Sequence, residues 1–191
     1  AVQIGKDNRL SEAMIDRVSV NGEGGEEAEP MLPHLVLRGG SRLSAEIKEG
    51  SRSAFQLGGR WEGRTVTTPQ VARLEFFHPL PAEVESLIGG ERKGLLLRSG
   101  DFSEGGFESL REGSILVGYL LFGISEHSIL DEADCLVLRK VVPGAALFRV
   151  ETHAGSILLA EKAAFEAGKL TLTIGGLGEA RFGVEELRSL Q

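Results

Sequence analysis

Most of the residues from which recognisable sites are built are scarce in this chain. Its 191 residues include one cysteine, Cys135, so no disulfide can close within it. A single thiol and four scattered histidines, His34, His78, His127 and His153, offer no paired spacing for zinc. Basic residues are too few for a general phosphate-binding surface: 21 Lys and Arg against 28 Asp and Glu leave a net charge of −7. Affinity for nucleic-acid polymers rests on clustered cations, so no such polymer is expected as a partner. No apolar run reaches the roughly 18 residues of a membrane-spanning helix. There is no G-x-S-x-G elbow, and no histidine has a recognisable local catalytic partner. These absences argue against an enzyme, and no cofactor is expected.

Glycine, by contrast, is abundant. The 26 glycines lie among Val, Leu, Ile and Thr, a composition that suits many tight turns between short strands. The expected fold is therefore all-β. Residues 1–32 read as an N-terminal extension, with one short helical signal at Leu10–Arg17 and an acidic, glycine-rich linker after Asn21. The start at Ala1, without Met or a signal-like apolar stretch, reads as that of a mature or excised fragment.

From Pro33 onward the pattern repeats. Leu35–Leu43, Leu95–Phe102 and Phe148–Leu158 are apolar runs broken at Gly40, Gly100 and Gly155, at intervals of about 55–60 residues. Gly50, Gly113 and Gly168 read as the next turn of each unit, and Leu74, Leu136 and Leu187 as matching positions in the closing strands. The expected organisation is small barrel 1 over 33–78, a short helical connector over 79–92, small barrel 2 over 93–142 and small barrel 3 over 145–191. Closure of each barrel on itself would hide its strand edges. Ser114–Phe122 reads as one long apolar strand, and Cys135 as a small buried hydrophobe.

This order of strand, Gly turn, long bent strand, second Gly turn and short final strand resembles the Sm-like branch of the SH3-like small barrels. Phe148–Leu158 with Gly168–Ile174 and Val184–Leu190 carry the resemblance most clearly. Similar tandem units occur beside carbohydrate-binding modules in large exported bacterial proteins. The resemblance implies a non-catalytic structural or interaction module, exported, with a protein or glycan as partner. The base-reading loop of Sm proteins is not matched.

One further pattern resembles a ligand site. Arg60 and Arg64 have the Arg-x-x-x-Arg form, and Asp101, Ser103 and Gly106 the Asp-x-Ser-x-x-Gly form, in the order found in PilZ domains that bind cyclic di-GMP. Two guanidinium groups can grip phosphates and stack on guanine, while a short acidic turn lets a base approach the backbone. In PilZ domains, however, the arginines lie on an arm before the barrel, whereas here they fall between two strands of the first unit. Asp101 also sits at a turn that recurs elsewhere. Trp61 could stack on a sugar ring or plug the end of its barrel. The carboxylate pairs Asp131–Glu132 and Glu185–Glu186 read as solvated turns, and Gly175–Gly178 as a hairpin.

Overall fold

The computed structural model of the chain describes residues 18–19, 32–77, 80, 84–85 and 92–191. After β1 (Val18–Ser19) come β2 (His34–Leu37), β3 (Arg42–Ser44), β4 (Ile47–Ser51), β5 (Ala54–Leu57), β6 (Thr65–Thr67) and β7 (Val71–Glu75). A second stretch forms β8 (Gly94–Leu97), β9 (Phe102–Glu104), β10 (Gly106–Arg111), β11 (Ser114–Tyr119), β12 (Gly123–Ser128) and β13 (Ala133–Val137). The third forms β14 (Phe148–Thr152), β15 (Ile157–Glu166), β16 (Lys169–Ile174), β17 (Gly178–Gly183) and β18 (Leu187–Leu190). Single 3-10 turns at Thr68–Gln70 and Val184–Glu186 lead into β7 and β18. The fold is all-β. The helical signal at 10–17 and the acidic linker lie outside the described residues, as does most of the expected helical connector.

Among the described residues all strand pairing is antiparallel, in two sheets. The larger runs β1-β18-β14-β15-β3-β2-β7-β13-β8-β9, with β16 on β15 and β17 on β16; the smaller runs β12-β11-β10-β4-β5-β6. Three turns share one set of hydrogen bonds. Leu37, Leu97 and Thr152 each donate N–H to the carbonyl four residues on, at Ser41, Asp101 and Ser156, and each accepts from Gly40, Gly100 or Gly155. All three glycines have φ between 82° and 96°, which a side chain would strain. The first strand of each stretch also pairs with its last, Leu35 with Leu74, Leu95 with Leu136, and Val150 with Leu190, with a register shift at the same step. Leu190, and not Leu187, therefore stands where Leu74 and Leu136 stand.

Neither sheet closes on itself, contrary to the expected barrels. The edges meet other strands instead. β7 pairs with β13 with Leu74 opposite Leu136, β4 with β10 with Gly50 opposite Leu110, and β3 with β15 with Arg42 opposite Ile157. Backbone donors that a small barrel would satisfy internally are thus satisfied between stretches of the chain.

Of the three second turns expected, two are present and one is not. Glu112-Gly113 and Ala167-Gly168 both have two consecutive positive φ values, the form of a tight I′ hairpin turn. Gly50 is no turn: it lies within β4, opposite Phe55. It reads as punctuation, but its role is room, since a Cβ there would come within 2.6 Å of the Phe55 ring. Between Arg42 and Ser51 the chain breaks at Ala45–Glu46 so that β3 and β4 join different sheets, and Gly105 divides β9 from β10 in the same manner. The run Ser114–Phe122 stops being strand at Tyr119.

The alternation of side chains along these strands sends Leu35, Leu43, Leu74, Leu95, Leu136, Val150 and Leu158 into one core shared by all three stretches. Phe55 stacks on Phe107 there, ring centroids 5.3 Å apart. A smaller cluster of Leu80, Leu96, Cys135 and Val137 forms on the opposite face of β8 and β13, with Val84 and Phe102 against it. Cys135 is a core residue, and burial pushes its thiol well above its ordinary pKa. Because Phe55 is held on both sides, Gly50→Ala is expected to cost about 1–3 kcal/mol, read as a lower urea midpoint at unchanged slope. Gly39→Ala, with open space at its Cβ, should leave the midpoint nearly where it was.

Candidate functional site

Three places collect chemistry-bearing side chains. The first is a buried charge cluster on the outer face of the larger sheet. Glu75, fully buried on β7, lies between β2 and β13. Arg73 Nε donates to Glu75 Oε1 at 2.7 Å, and Arg42 Nη2 lies 2.7 Å from Oε2 without hydrogen-bond alignment. Arg73 also reaches Glu85 at 2.6 Å. His34 stands opposite Glu75 across the ladder, its Nδ1 buried without a hydrogen-bond partner. Burial, and secondarily Arg42, lower its pKa from 6.5 against the opposing pull of Glu75. The cluster pins register: a one-residue slip of β7 would turn Glu75 into the leucine core.

The second place is where the first and third stretches meet. Trp61, 3% exposed, donates its indole N–H to Ser44 O at 3.0 Å and packs edge-on to Phe182. Arg60 lies over the Phe182 ring at 4.8 Å, pairs with Glu186 at 2.6 Å and donates to Arg181 O. Arg64 donates to the carbonyls of Leu177 and Glu179. Both guanidinium groups, singled out for phosphate binding, thus hold the β16–β17 hairpin and the turn after it. The hydrogen bonds and ion pairs among the described residues do not link either arginine to Asp101, Ser103 or Gly106.

The third place is an open cleft of about 680 Å³ lined by Arg92, Lys93, Glu104, Gly105, Gly106, Glu108, Gly118, Tyr119 and Leu120. Gly106 pairs with Gly118 at its floor. Asp101 accepts from Ser99 Oγ at 2.9 Å in the preceding turn, and Ser103 lies on β9 opposite Leu95. The Tyr119 hydroxyl bonds His127 Nε2 at 2.9 Å, and His127 Nδ1 bonds Glu132 Oε2 at 3.0 Å. Burial raises the Tyr119 pKa, opposed by a bond from Ser103, so the phenol stays neutral. The Glu132 carboxylate can only accept, which leaves Nε2 to accept from the phenol. His127 Nδ1 then carries the hydrogen that Glu132 accepts. Tyr119 stands between Ser103 and the imidazole, whereas a Ser-His-acid nucleophile needs direct contact. The chain of bonds braces the β11–β12 hairpin. No family model, curated protein or solved structure matches the chain.

That braced hairpin carries the feature that sequence reading missed. Leu120, Leu121 and Phe122 form its tip and are 100%, 84% and 83% exposed. The signal was present as an apolar run longer than its strand partner, but it was read as strand. The cleft is lined by two cations and two carboxylates beside this apolar tip, a mixture that suits a polypeptide surface better than a phosphate.

Two outcomes are expected. Since the unfolded chain protonates His34 near 6.5 and the folded chain only below that, stability should fall as pH drops from about 7 to about 5. Urea unfolding at a series of pH values should show this slope, reduced in His34→Phe. Glu75→Ala, which takes the carboxylate from Arg42 and leaves Arg73 with Glu85 alone, should cost about 3 kcal/mol by the same measurement.

Proposed function

We propose that the chain is a non-catalytic interaction module of a larger exported protein, built from three variants of one SH3/Sm-like unit. The recurrence of one turn, one first-to-last strand pairing and one register shift supports the repeated unit. The units differ from free-standing barrels in being fused edge to edge. Two fusions bring like positions together: Leu74 and Leu136, the partners of Leu35 and Leu95, pair with each other, and Arg42 pairs with Ile157.

The observation that carries the interaction reading is the tip at Leu120–Phe122. Three large apolar side chains held in water by a braced hairpin are costly to solubility, and such exposed apolar groups mark contact surfaces. Leu120 lines the same cleft as Glu104 of β9, the strand that ends the larger sheet. The buried face of the partner is then apolar opposite the tip and offers backbone groups to the strand edge.

A cyclic di-GMP sensor is the reading to test against this one. It requires Arg60 and Arg64 to leave their present partners on β17 and the following turn. Calorimetric titration of cyclic di-GMP into the chain is expected to give no heat, with Arg60→Ala behaving alike. Micromolar binding that disappears in Arg60→Ala would replace the module by a sensor.

A further inference from the structure

We propose that β9 pairs with β9 of a second copy of this chain across a two-fold axis, with the Leu120–Phe122 tips covering one another's flank. This rests on the reading of that face as an interaction surface and names its partner.

The template is inside the molecule. Arg42 and Ile157 follow the Gly40 and Gly155 turns by two residues, and they stand opposite each other where β3 meets β15. The hydrogen bonds around them are reciprocal. Ser44 N–H donates to Ser156 Oγ at 2.9 Å, and Leu159 N–H donates to Ser41 Oγ at 2.9 Å. Ser41 and Ser156 each follow their turn glycine directly, and Ser44 and Leu159 each stand three residues further on. The junction is therefore a local two-fold between like strands, completed by the side chain after the glycine.

In the second stretch the same strand is β9, with Phe102 at the place of Arg42 and Ile157 and Asp101 at the place of Ser41 and Ser156. Among the described residues no strand pairs with its outer edge. Leu97 N–H donates to Asp101 O and Gly105 N–H to Lys93 O. Alternation along an antiparallel strand then gives Ser103 to β8 and turns the N–H and C=O of Phe102 and Glu104 outward. In a pair centred on Phe102, Asp101 takes the serine's part and accepts the N–H of the partner's Glu104. Phe102 faces the small cluster with Leu80 and Val84, so two copies of it side by side extend an apolar surface that already exists.

The hairpin tips obey the same logic. At the β3–β15 junction the segment between β5 and β6 meets the β16–β17 hairpin through Arg64 on Leu177 and Glu179, and Gln70, in the turn after β6, lies against Gly176. The corresponding tip of the second stretch is Leu120–Phe122, which is bare. It shares the cleft with Glu104 at the end of β9, so an occupant of the edge also reaches the tip. A strand that is its own complement under a two-fold fits a second copy better than an unrelated peptide.

The test is sedimentation velocity from micromolar to submillimolar chain, with amide hydrogen exchange read at both ends of that range. Reversible dimerisation is expected, with the Phe102 and Glu104 amides protected at high concentration alone. Glu104→Pro removes an outward N–H and none that β8 uses, and Leu121→Asp with Phe122→Asp charges the tip. Each should weaken the dimer at least about tenfold while leaving the urea midpoint of the monomer close to the parent's. A monomer at every concentration overturns the proposal, as does a dimer indifferent to both variants. Protection of those amides in the monomer also overturns it, because the chain's own remaining residues would then cover the edge. None of these outcomes bears on the sensor, which the nucleotide titration decides; a monomer that binds no nucleotide leaves the module reading in place with another partner.

Discussion

Strand edges demand hydrogen-bond partners, and the structure depends on how far that demand is met within the chain. An unpaired edge exposes a row of N–H and C=O groups that will pair with whatever extended chain arrives. Closing a sheet into a barrel removes the problem within about forty to fifty residues, at the cost of strong bending. Here the strands bend, at Ala45–Glu46 and at Gly105, but each break sends the second half into a different sheet. Neighbouring stretches then supply the missing partners, β7 to β13, β4 to β10 and β3 to β15. The consequence is one shared core of leucines and phenylalanines, in place of three small cores that would each be marginal.

Fusion of this kind raises the demand on register. Leucine faces leucine across the β7–β13 seam, and an apolar ladder alone resists sliding by two residues weakly. The Glu75 cluster supplies the missing discrimination. A carboxylate buried between Arg42 and Arg73 gains little net stability once desolvation is counted, but any register that separates it from both arginines is heavily penalised. Arg73 also reaches Glu85, next to the Val84 that packs against the Cys135 and Val137 cluster, so the residue that fixes the seam also holds this cover. Specificity and cover come from one side chain.

How much of this the sequence carried depends on how local each signal is. The turns at Gly40, Gly100 and Gly155 were legible because a positive φ before a resumed apolar run leaves a glycine in a fixed place. The all-β class, the hairpin at Gly175–Gly178 and the buried Cys135 were legible for similar reasons. Gly50 misled, because glycine chosen to admit the Phe55 ring looks like glycine chosen for a turn. Leu187 and Leu190 were confused because the register shift before Leu190 is invisible in a leucine spacing. Fusion of the sheets was not legible at all: it depends on pairs such as Arg42 with Ile157, more than a hundred positions apart. Arg60 and Arg64 carry a spacing that suits phosphate, yet their partners are carbonyls and a carboxylate contributed by 177–186. Sequence gives the donors; only the fold says whether acceptors are already there.

The three segments between β5 and β6, β11 and β12, and β16 and β17 show where selection could act without disturbing the core. In the first, Arg60, Trp61 and Arg64 make a polar and aromatic clasp; in the third, Gly175–Gly178 makes a narrow turn that fits beneath it. Each is shaped by the other, and neither would be stable chemistry if exposed alone. The second tip is of the opposite character, three large apolar residues in succession, on a hairpin whose stem is stiffened by Ser103, Tyr119, His127 and Glu132. A tip with no task would be expected to drift toward polar turn residues, because exposed leucine and phenylalanine add nothing to the fold and invite aggregation. A stiff stem adds to the argument, since it lowers the entropy lost when the tip is covered. Bare apolar side chains on a preorganised support are the feature on which the proposed interface rests.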